Sequence, residues 1–136
     1  IYENNNGTWT QIGQDIDGEA PNDQSGASVS LSSNGDIVAI GAPYNAGNGT
    51  NSGHVRIYEN NNGTWTQIGQ DINGEYAGDQ SGYSLSLNGL GNRIAIGSYL
   101  NSDNATESGH ARVFYFDANT NAWNQIGNDV DGEFAT

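Results

Sequence analysis

The chain has 136 residues, of which 16 are acidic and three are arginines, and its formal net charge is −13. Because it contains no cysteine, disulfides, thiolate metal sites and cysteine nucleophiles are excluded. The negative charge disfavours nucleic acid and anionic membranes as partners, and no apolar run approaches the roughly 20 residues of a membrane-spanning helix, so we expect neither nucleic-acid binding nor membrane insertion.

The sequence repeats itself with a period of 56 residues. Residues 1–19 recur at 57–75 with a single change, from Asp17 to Asn73. A third, partial copy follows, with two extra residues near a predicted turn. We therefore divide the chain into unit 1 (1–56), unit 2 (57–112) and partial unit 3 (113–136), which is about two and a half repeats.

Each unit predicts four short strands separated by turns. In chain order the strand-like runs of the first copy are TWTQIGQDI, GASVSLS, DIVAIGA and HVRIYE, which begin at residues 8, 26, 36 and 54. The second run alternates apolar residues with serine, and the third is apolar enough for a strand that is buried on both faces. Asn-Gly pairs between runs predict hairpin turns, since both residues tolerate positive φ.

Four antiparallel strands in a repeat of this length are typical of a β-propeller blade. We therefore predict an all-β fold built from such blades, each of which presents the same face to its neighbour. Propellers close with about four to eight blades, so two and a half units do not complete a ring. We expect a partial propeller or a fragment, completed by further blades of the same chain or of other copies.

Acidic residues at alternate positions form a candidate calcium site in each of the first two units. The proposed ligands are Asp15, Asp17, Glu19 and Asp23 in unit 1 and Asp71, Asn73, Glu75 and Asp79 in unit 2. The third copy begins the same run with Asp129, Asp131 and Glu133. Alternate spacing can direct several oxygen ligands at one calcium ion. The spacing does not match an EF-hand loop, however, which favours the alternative that these side chains accept hydrogen bonds from backbone in a solvated turn.

Two histidines and two arginines also recur at equivalent positions. His54 and His110 begin the run HVRIYE and its copy, and two histidines from neighbouring blades can bind a metal or act as a base. A hydrogen-bonded histidine at the start of a strand is the favoured interpretation. Arg56 and Arg112 follow two residues later, and we expect them to pair with acidic neighbours.

The three tryptophans begin the run W-x-QIG in each copy and are candidate ligand-binding residues. Trp9, Trp65 and Trp123 can stack on sugar rings, or they can cover the seam between blades. Exposure of the ring to solvent discriminates between these two roles, and the seam role is favoured.

The segment SGASVSLSSNGDIVAIGAP, at residues 25–43, resembles an FG-GAP repeat. This is the blade of integrin α-chain propellers and of many secreted bacterial surface proteins. The resemblance implies a β-propeller at the cell surface that binds partners through its loops. The calcium loop of that family, Asp-x-Asp-x-Asp-Gly, is replaced at residues 32–36 by SSNGD, so its ligands do not carry over.

The predicted function is that of a non-catalytic, secreted or cell-surface propeller segment that acts as a scaffold, adhesion or protein-binding module. Its partner is expected to be a protein or a glycan, and calcium is the one cofactor suggested. We find no nucleophile–base pair, carboxylate cleft or phosphate loop in the sequence, so no enzymatic activity is predicted. Two alternatives stay open, a carbohydrate-binding propeller and a fragment of a larger propeller enzyme.

Overall fold

A computed structural model describes residues 1–133, and its regular elements are all β-strands. In chain order these are β1 (Tyr2–Asn5), β2 (Thr8–Gln11), β3 (Ser28–Leu31), β4 (Ile37–Ala42), β5 (His54–Asn61), β6 (Thr64–Gln67), β7 (Ile72–Asn73), β8 (Ser84–Leu87), β9 (Arg93–Ser98), β10 (His110–Asp117), β11 (Ala122–Gln125) and β12 (Val130–Asp131). Within 1–133, no helix has the length and apolarity required to cross a membrane.

The strands form two antiparallel sheets of the same topology and one separate hairpin. The first sheet has the order β3-β4-β5-β6, and the second has the order β8-β9-β10-β11. In each sheet a further two-residue strand, β7 or β12, pairs with the long strand β5 or β10. The hairpin consists of β1 and β2. The predicted all-β fold with antiparallel four-stranded blades is confirmed, and each blade carries a short additional strand.

The repeat units and the sheets are out of phase along the chain. The unit boundary after residue 56 falls inside β5, and the boundary after residue 112 falls inside β10. The hairpin β1–β2 corresponds in the repeat to the end of β5 together with β6. One sheet therefore combines strands from two consecutive units, which ties the units together through backbone hydrogen bonds.

Two of the predicted Asn-Gly turns have positive φ at both residues, whereas at Asn34–Gly35 and Asn48–Gly49 only the glycine does. Asn6 and Gly7 have φ of 51° and 93°, and Asn62 and Gly63 have φ of 52° and 87°. Positive φ at both central residues is the requirement of a type I′ turn, which matches the twist of the flanking strands. In the third copy Asp117 pairs with Ala122, so the two extra residues lengthen this loop, where the sequence placed them.

The hydrophobic core lies between the two sheets and draws on both. Its buried members are Ala39, Val55, Ile57, Ile72, Leu87, Ile94, Ile96, Phe114 and Trp123. Strand β8 packs beside β3 and β4. Hydrogen bonds join the sheets there, since the Ser28 hydroxyl donates to the Gly82 carbonyl at 2.7 Å. Each sheet thus buries its apolar face against the other, as neighbouring blades must.

Candidate functional site

The tryptophans of units 2 and 3 lie buried at the seams between successive copies. Trp65 is 4% exposed and Trp123 is 3% exposed, whereas Trp9 is 66% exposed. The indole N–H of Trp65 donates to the Ile12 carbonyl at 2.8 Å. The indole N–H of Trp123 donates to Ile68, the equivalent residue of unit 2, at 3.1 Å. Burial of both rings favours the seam role for Trp65 and Trp123, and sugar stacking stays a prediction for Trp9.

A glutamine from the preceding unit closes each seam around the tryptophan backbone. The Gln14 amide donates to the Trp65 carbonyl at 2.8 Å and accepts from the Trp65 backbone N–H at 3.1 Å. Gln70 makes the same pair of bonds with Trp123, at 2.7 and 2.9 Å. These reciprocal bonds fix the register of one unit against the next.

Charged side chains gather beside the first seam in a group that we call the first seam cluster, formed by Glu19, His54, Arg56 and Asp71. Strand β7 pairs with the start of β5, with His54 opposite Asn73, and the next step places Asp71 beside Arg56. Arg56 donates to both oxygens of Asp71, each at 2.9 Å, and also contacts Glu19. The expected arginine–acid pairing is therefore present in a bidentate form.

Electrostatics in the first seam cluster follow from this guanidinium. Hydrogen bonds from Arg56 hold the pKa of Asp71 below its usual range, and the pKa of Arg56 is raised in turn by the same bonds. Burial, assisted by the charge of Arg56, lowers the pKa of His54. His54 Nδ1 lies 3.8 Å from a carboxylate oxygen of each acid. The neutral form of His54 is consequently favoured.

An equivalent group stands at the second seam, and we call it the second seam cluster. Its members are Glu75, Asp103, His110, Arg112 and Asp129. His110 Nδ1 lies 3.4 Å from Asp129 Oδ2 and 3.7 Å from Glu75 Oε2. Both clusters contain at least three side chains whose ligand atoms lie within 4.8 Å of one another, an arrangement that can hold a metal ion.

The arginine of the second seam cluster is placed differently from Arg56. Arg112 Nη2 donates to the Asn73 carbonyl at 2.7 Å, and its Nη1 lies 3.7 Å from Glu75 Oε1. Asp129 instead accepts from the Gln125 amide at 2.6 Å. Burial raises the pKa of Glu75, and Arg112 offsets this only in part. The carboxylates of this cluster are less neutralised than those of the first.

The eight candidate calcium ligands do not form two sites in which the four residues of each run surround one ion. Of that set, Glu19, Asp71 and Glu75 belong to the seam clusters, where each glutamate meets residues of the next copy. Asp15 accepts a hydrogen bond from the Gln11 amide at 2.8 Å, and the backbone carbonyl of Asn73 accepts one from Arg112. Asp17 lines a small cavity beside Glu19. The alternate spacing therefore does not create a ligand set, because neighbours in sequence point to different partners.

The two remaining candidates, Asp23 and Asp79, are buried turn residues. Asp79 accepts backbone N–H groups from Glu75 and Tyr76, at 3.2 and 2.9 Å. Asp23 accepts from the Asn45 amide at 2.8 Å. Asp79 therefore makes the backbone hydrogen bonds that the sequence offered as the alternative to calcium, but both residues are buried and not solvated as that alternative supposed.

Sequence reasoning missed Asp103, and it missed that each histidine lies beside one acid of its own unit and one acid of the following unit. His54 and His110 lie in separate clusters, so they do not form a shared two-histidine site. Asp103 stands where unit 1 has Gly47, and this difference between copies was the available signal. The seam contacts themselves depend on how the units stack.

Differences between the copies converge on an open cleft of unit 2, of about 560 Å³. The cleft residues that are replaced relative to unit 1 are Tyr76 (Ala20), Ala77 (Pro21), Gly78 (Asn22), Leu100 (Tyr44), Ser102 (Ala46), Asp103 (Gly47) and Glu107 (Asn51). Beyond the cleft, Tyr83 and Tyr99 replace Ala27 and Pro43, and their rings lie 4.4 Å apart. Both tyrosines are about half exposed. Unit 2 thus presents an aromatic and acidic surface that unit 1 lacks.

Comparison with known proteins identifies the repeat. Residues 15–58 match the family model described as FG-GAP repeat. The matched segment holds β3 and β4 with most of β5, and it is an FG-GAP-type repeat, as the resemblance in the sequence implied. No curated protein matches the chain.

Proposed function

We propose that the chain is a non-catalytic segment of an extracellular β-propeller that serves as a scaffold and binds a protein partner through the loops of unit 2. One observation carries the proposal: side chains shared by the copies build the seams, whereas a set of side chains that differ between the copies lines the open cleft of unit 2. Trp65, Gln14 and Arg56 are used for stacking one unit on the next. Their repetition therefore has a structural reason.

The cleft of unit 2 and the adjoining pair Tyr83–Tyr99 supply the proposed binding surface. Aromatic side chains give large contact areas at small cost in conformational entropy, and they are enriched at protein interfaces. Tyr76 is 60% exposed although it is a large side chain with apolar surface. Asp103 and Glu107 add negative charge to the cleft, which favours a partner with a basic patch.

A substitution experiment that restores the residues of unit 1 tests this surface. Tyr76→Ala and Tyr83→Ala introduce the side chains that unit 1 tolerates at the same positions, so folding should be preserved. We expect the unchanged chain to bind one or more members of a panel of extracellular proteins in surface plasmon resonance. The double variant should bind those at least about tenfold more weakly, the loss typical of hot-spot aromatics.

Leu90→Asn is the matched control. Leu90 is 76% exposed, and asparagine is the residue that unit 1 has at the equivalent position. It should leave binding unchanged. Equal binding by the double variant and the unchanged chain would show that the aromatic surface is not the binding site.

A carbohydrate-binding function is the second candidate, and the close, exposed pair Tyr83–Tyr99 favours it. Paired exposed aromatic rings are suited to contact the apolar faces of sugars. A glycan array probed with the chain and with the same double variant separates this candidate from the first. Loss of a glycan signal in the double variant, without loss of protein binding, would assign the tyrosines to sugar.

The exposed Trp9 supports a further part of the proposal, that another repeat unit packs in front of the β1–β2 hairpin. At the other two seams the equivalent ring is covered by an Ile-Gly-Gln turn of the preceding copy. Trp9 carries the same neighbours in sequence, so it is suited to receive the same turn. Such a unit belongs to the same chain or to another copy.

A further inference from the structure

We propose that the second seam cluster is a binding site for a borderline divalent cation of the zinc class, held by His110, Asp129, Glu75 and Asp103, and that it clamps unit 2 to unit 3. The site differs from the calcium runs predicted from the sequence: it takes Glu75 from the second run and Asp129 from the start of the third, and it adds His110 and Asp103. It also lies outside the loop at which the FG-GAP resemblance implies calcium. The argument rests on side-chain geometry at this seam.

The donor atoms converge from four separate segments of the chain, of which the loop between β9 and β10 supplies Asp103. His110 begins β10, Asp129 immediately precedes β12, and Glu75 comes from the loop before β8. His110 Nδ1 stands 3.4 Å from Asp129 Oδ2 and 3.7 Å from Glu75 Oε2. Tetrahedral ligands with bonds of about 2.0–2.1 Å are separated by about 3.3 Å, so these donors need little movement to coordinate one ion.

His110 is the independent observation that points to a ligand. Its side chain is 0% exposed. Among residues 1–133, neither of its ring nitrogens has a hydrogen-bond partner, and the same is true of Glu75 Oε2. A buried polar atom without a partner is costly, so it calls for a ligand or a functional role. A cation between His110, Glu75 and Asp129 satisfies Nδ1 and Oε2 together.

Residues around the cluster hold the carboxylates in position for this role. Gln125 donates to Asp129 Oδ1 at 2.6 Å, which leaves Oδ2 facing His110. The buried Asn101 amide approaches Asp103 Oδ2 at 3.4 Å, and its carbonyl oxygen accepts the Asp103 N–H at 3.0 Å. Hydrogen bonds of this kind orient metal ligands and are part of a working site.

The mixture of ligand types indicates the class of cation. Calcium and magnesium prefer sites made of oxygen ligands, and calcium takes about six to eight of them. One imidazole nitrogen with three carboxylates suits zinc and related first-row ions. Three carboxylates stand against the one guanidinium of Arg112, so the cluster retains negative charge that a divalent cation would offset.

The first seam cluster explains why one seam binds the ion and the other does not. There Arg56 occupies both oxygens of Asp71 and contacts Glu19, so a guanidinium stands where a cation would. The position of Asp103 is taken by Gly47, which removes one ligand. At the second seam Arg112 donates to the Asn73 carbonyl and does not form a bidentate pair with Asp129. Asp103 also lines the open cleft, which provides a path for an ion to enter.

Isothermal titration of the full chain with ZnCl₂, after removal of metals by chelation and without a histidine tag, tests the proposal. We expect one zinc site per chain, with a Kd at or below about 10 μM. A Kd of this size corresponds to a modest free energy of binding. Zinc should raise the Tm, and excess CaCl₂ should not compete. Cobalt(II) in place of zinc should give the visible absorption of a tetrahedral site with nitrogen and oxygen ligands.

Asp103→Gly is the decisive variant, because it introduces the glycine that the first seam has at this position. Asp103 is exposed in a loop, so the change should leave the fold intact. It should weaken zinc binding by about 10–100-fold. His110→Gln should abolish the site, and circular dichroism shows whether that variant is folded. His54→Gln is the matched control at the first seam and should leave affinity and stoichiometry unchanged.

Several results would overturn the proposal. One is the absence of zinc binding to the unchanged chain at 1 mM metal, a concentration about a hundred times the expected Kd. Another is calcium binding of equal affinity, which would mark a nonspecific acidic surface. A third is an Asp103→Gly variant that is folded and binds zinc as tightly as the unchanged chain.

Discussion

Trp9, Trp65 and Trp123 occupy the same position of the repeat and differ in what covers them. The rings of Trp65 and Trp123 are covered by the preceding copy, and their indole N–H groups donate to its carbonyls. Trp9 has the same local sequence and is 66% exposed. Local sequence predicts a seam-forming residue in all three copies, but burial depends on a neighbouring unit.

Replacement of Trp65 by alanine should destabilise the protein by about 3–5 kcal/mol, since it removes a buried aromatic ring and leaves the Ile12 carbonyl without its donor. Trp9→Ala is the control and should cost less than about 1 kcal/mol. The free energy of unfolding in urea, followed by circular dichroism, measures both. Equal losses would show that the first seam contributes little to stability.

The pair Arg56–Asp71 should make stability depend on acid pH. Because the pKa of Asp71 is lower in the folded than in the unfolded chain, the pair stabilises the fold above the unfolded pKa of about 3.9. That stability is lost as the pH falls through the folded pKa. Arg56→Met should therefore cost about 1.5–3 kcal/mol at pH 7 and progressively less as the pH falls below the unfolded pKa of about 3.9.

Carbon-13 NMR of the Asp71 carboxyl group measures its pKa directly. This pKa should rise in Arg56→Met. His54 and Glu19 lie beside the same guanidinium, so site-resolved signals are required. Arg93→Met, at an exposed position of β9, is the control. An unchanged Asp71 pKa in Arg56→Met would contradict the assignment of Arg56 as its main partner.

At the scale of elements, the turn after each W-x-QI run packs against the tryptophan of the next copy. Gly69 has φ of +70°, and a Cβ built on it would lie 2.5 Å from Trp123 Cδ1. Gly127 has nearly the same φ, +71°, and a Cβ there would meet nothing within 4 Å among the described residues. The two glycines share a backbone requirement, and only the first is also required by packing.

This pair separates backbone strain from seam packing. Gly127→Ala should cost about 1–2 kcal/mol, the cost of left-handed backbone for a residue with a Cβ. Gly69→Ala should cost a further 1–3 kcal/mol or so, because the methyl group overlaps the indole. Thermal and urea unfolding compare the two variants. Losses of the same size would mean that the seam accommodates the methyl group without strain.

At the scale of the whole molecule, stacking is expected to continue wherever another unit is supplied in phase. A second copy of residues 57–112 placed before Ile1 extends the repeat without a break, since residues 57 and 1 are equivalent. The inserted Ile-Gly-Gln turn should then cover Trp9. We expect its indole N–H, resolved by nitrogen-15 NMR, to become protected from hydrogen exchange, as expected for the two buried indoles.

The control for this extended chain carries Gly69→Ala in the inserted copy only, which should obstruct the new seam and leave Trp9 unprotected. Native mass spectrometry of the original chain complements the test. A native mass that is a multiple of the denatured mass would indicate that copies stack on one another in solution. Failure of Trp9 to gain protection in the extended chain would contradict radial stacking of the units.

Much of the architecture was determined by the sequence itself. The 56-residue period, the alternation in runs such as SVSL and the Asn-Gly turns are local patterns, and they predicted the strands, the hairpins and the blade. The extra loop residues of the third copy were located in the same way. Local patterns suffice here because strand periodicity and turn geometry are properties of a few neighbouring residues.

The composition of the seam clusters was decided only by the tertiary structure. Glu19 and Asp71 are far apart in sequence and share one arginine, whereas Asp15, which is near Glu19 in sequence, accepts from Gln11 instead. Stacking of one unit on the next brings these groups together, and no spacing within a unit encodes it. The same stacking buries Trp65, turns Arg112 toward Asn73, and leaves His110 facing three carboxylates.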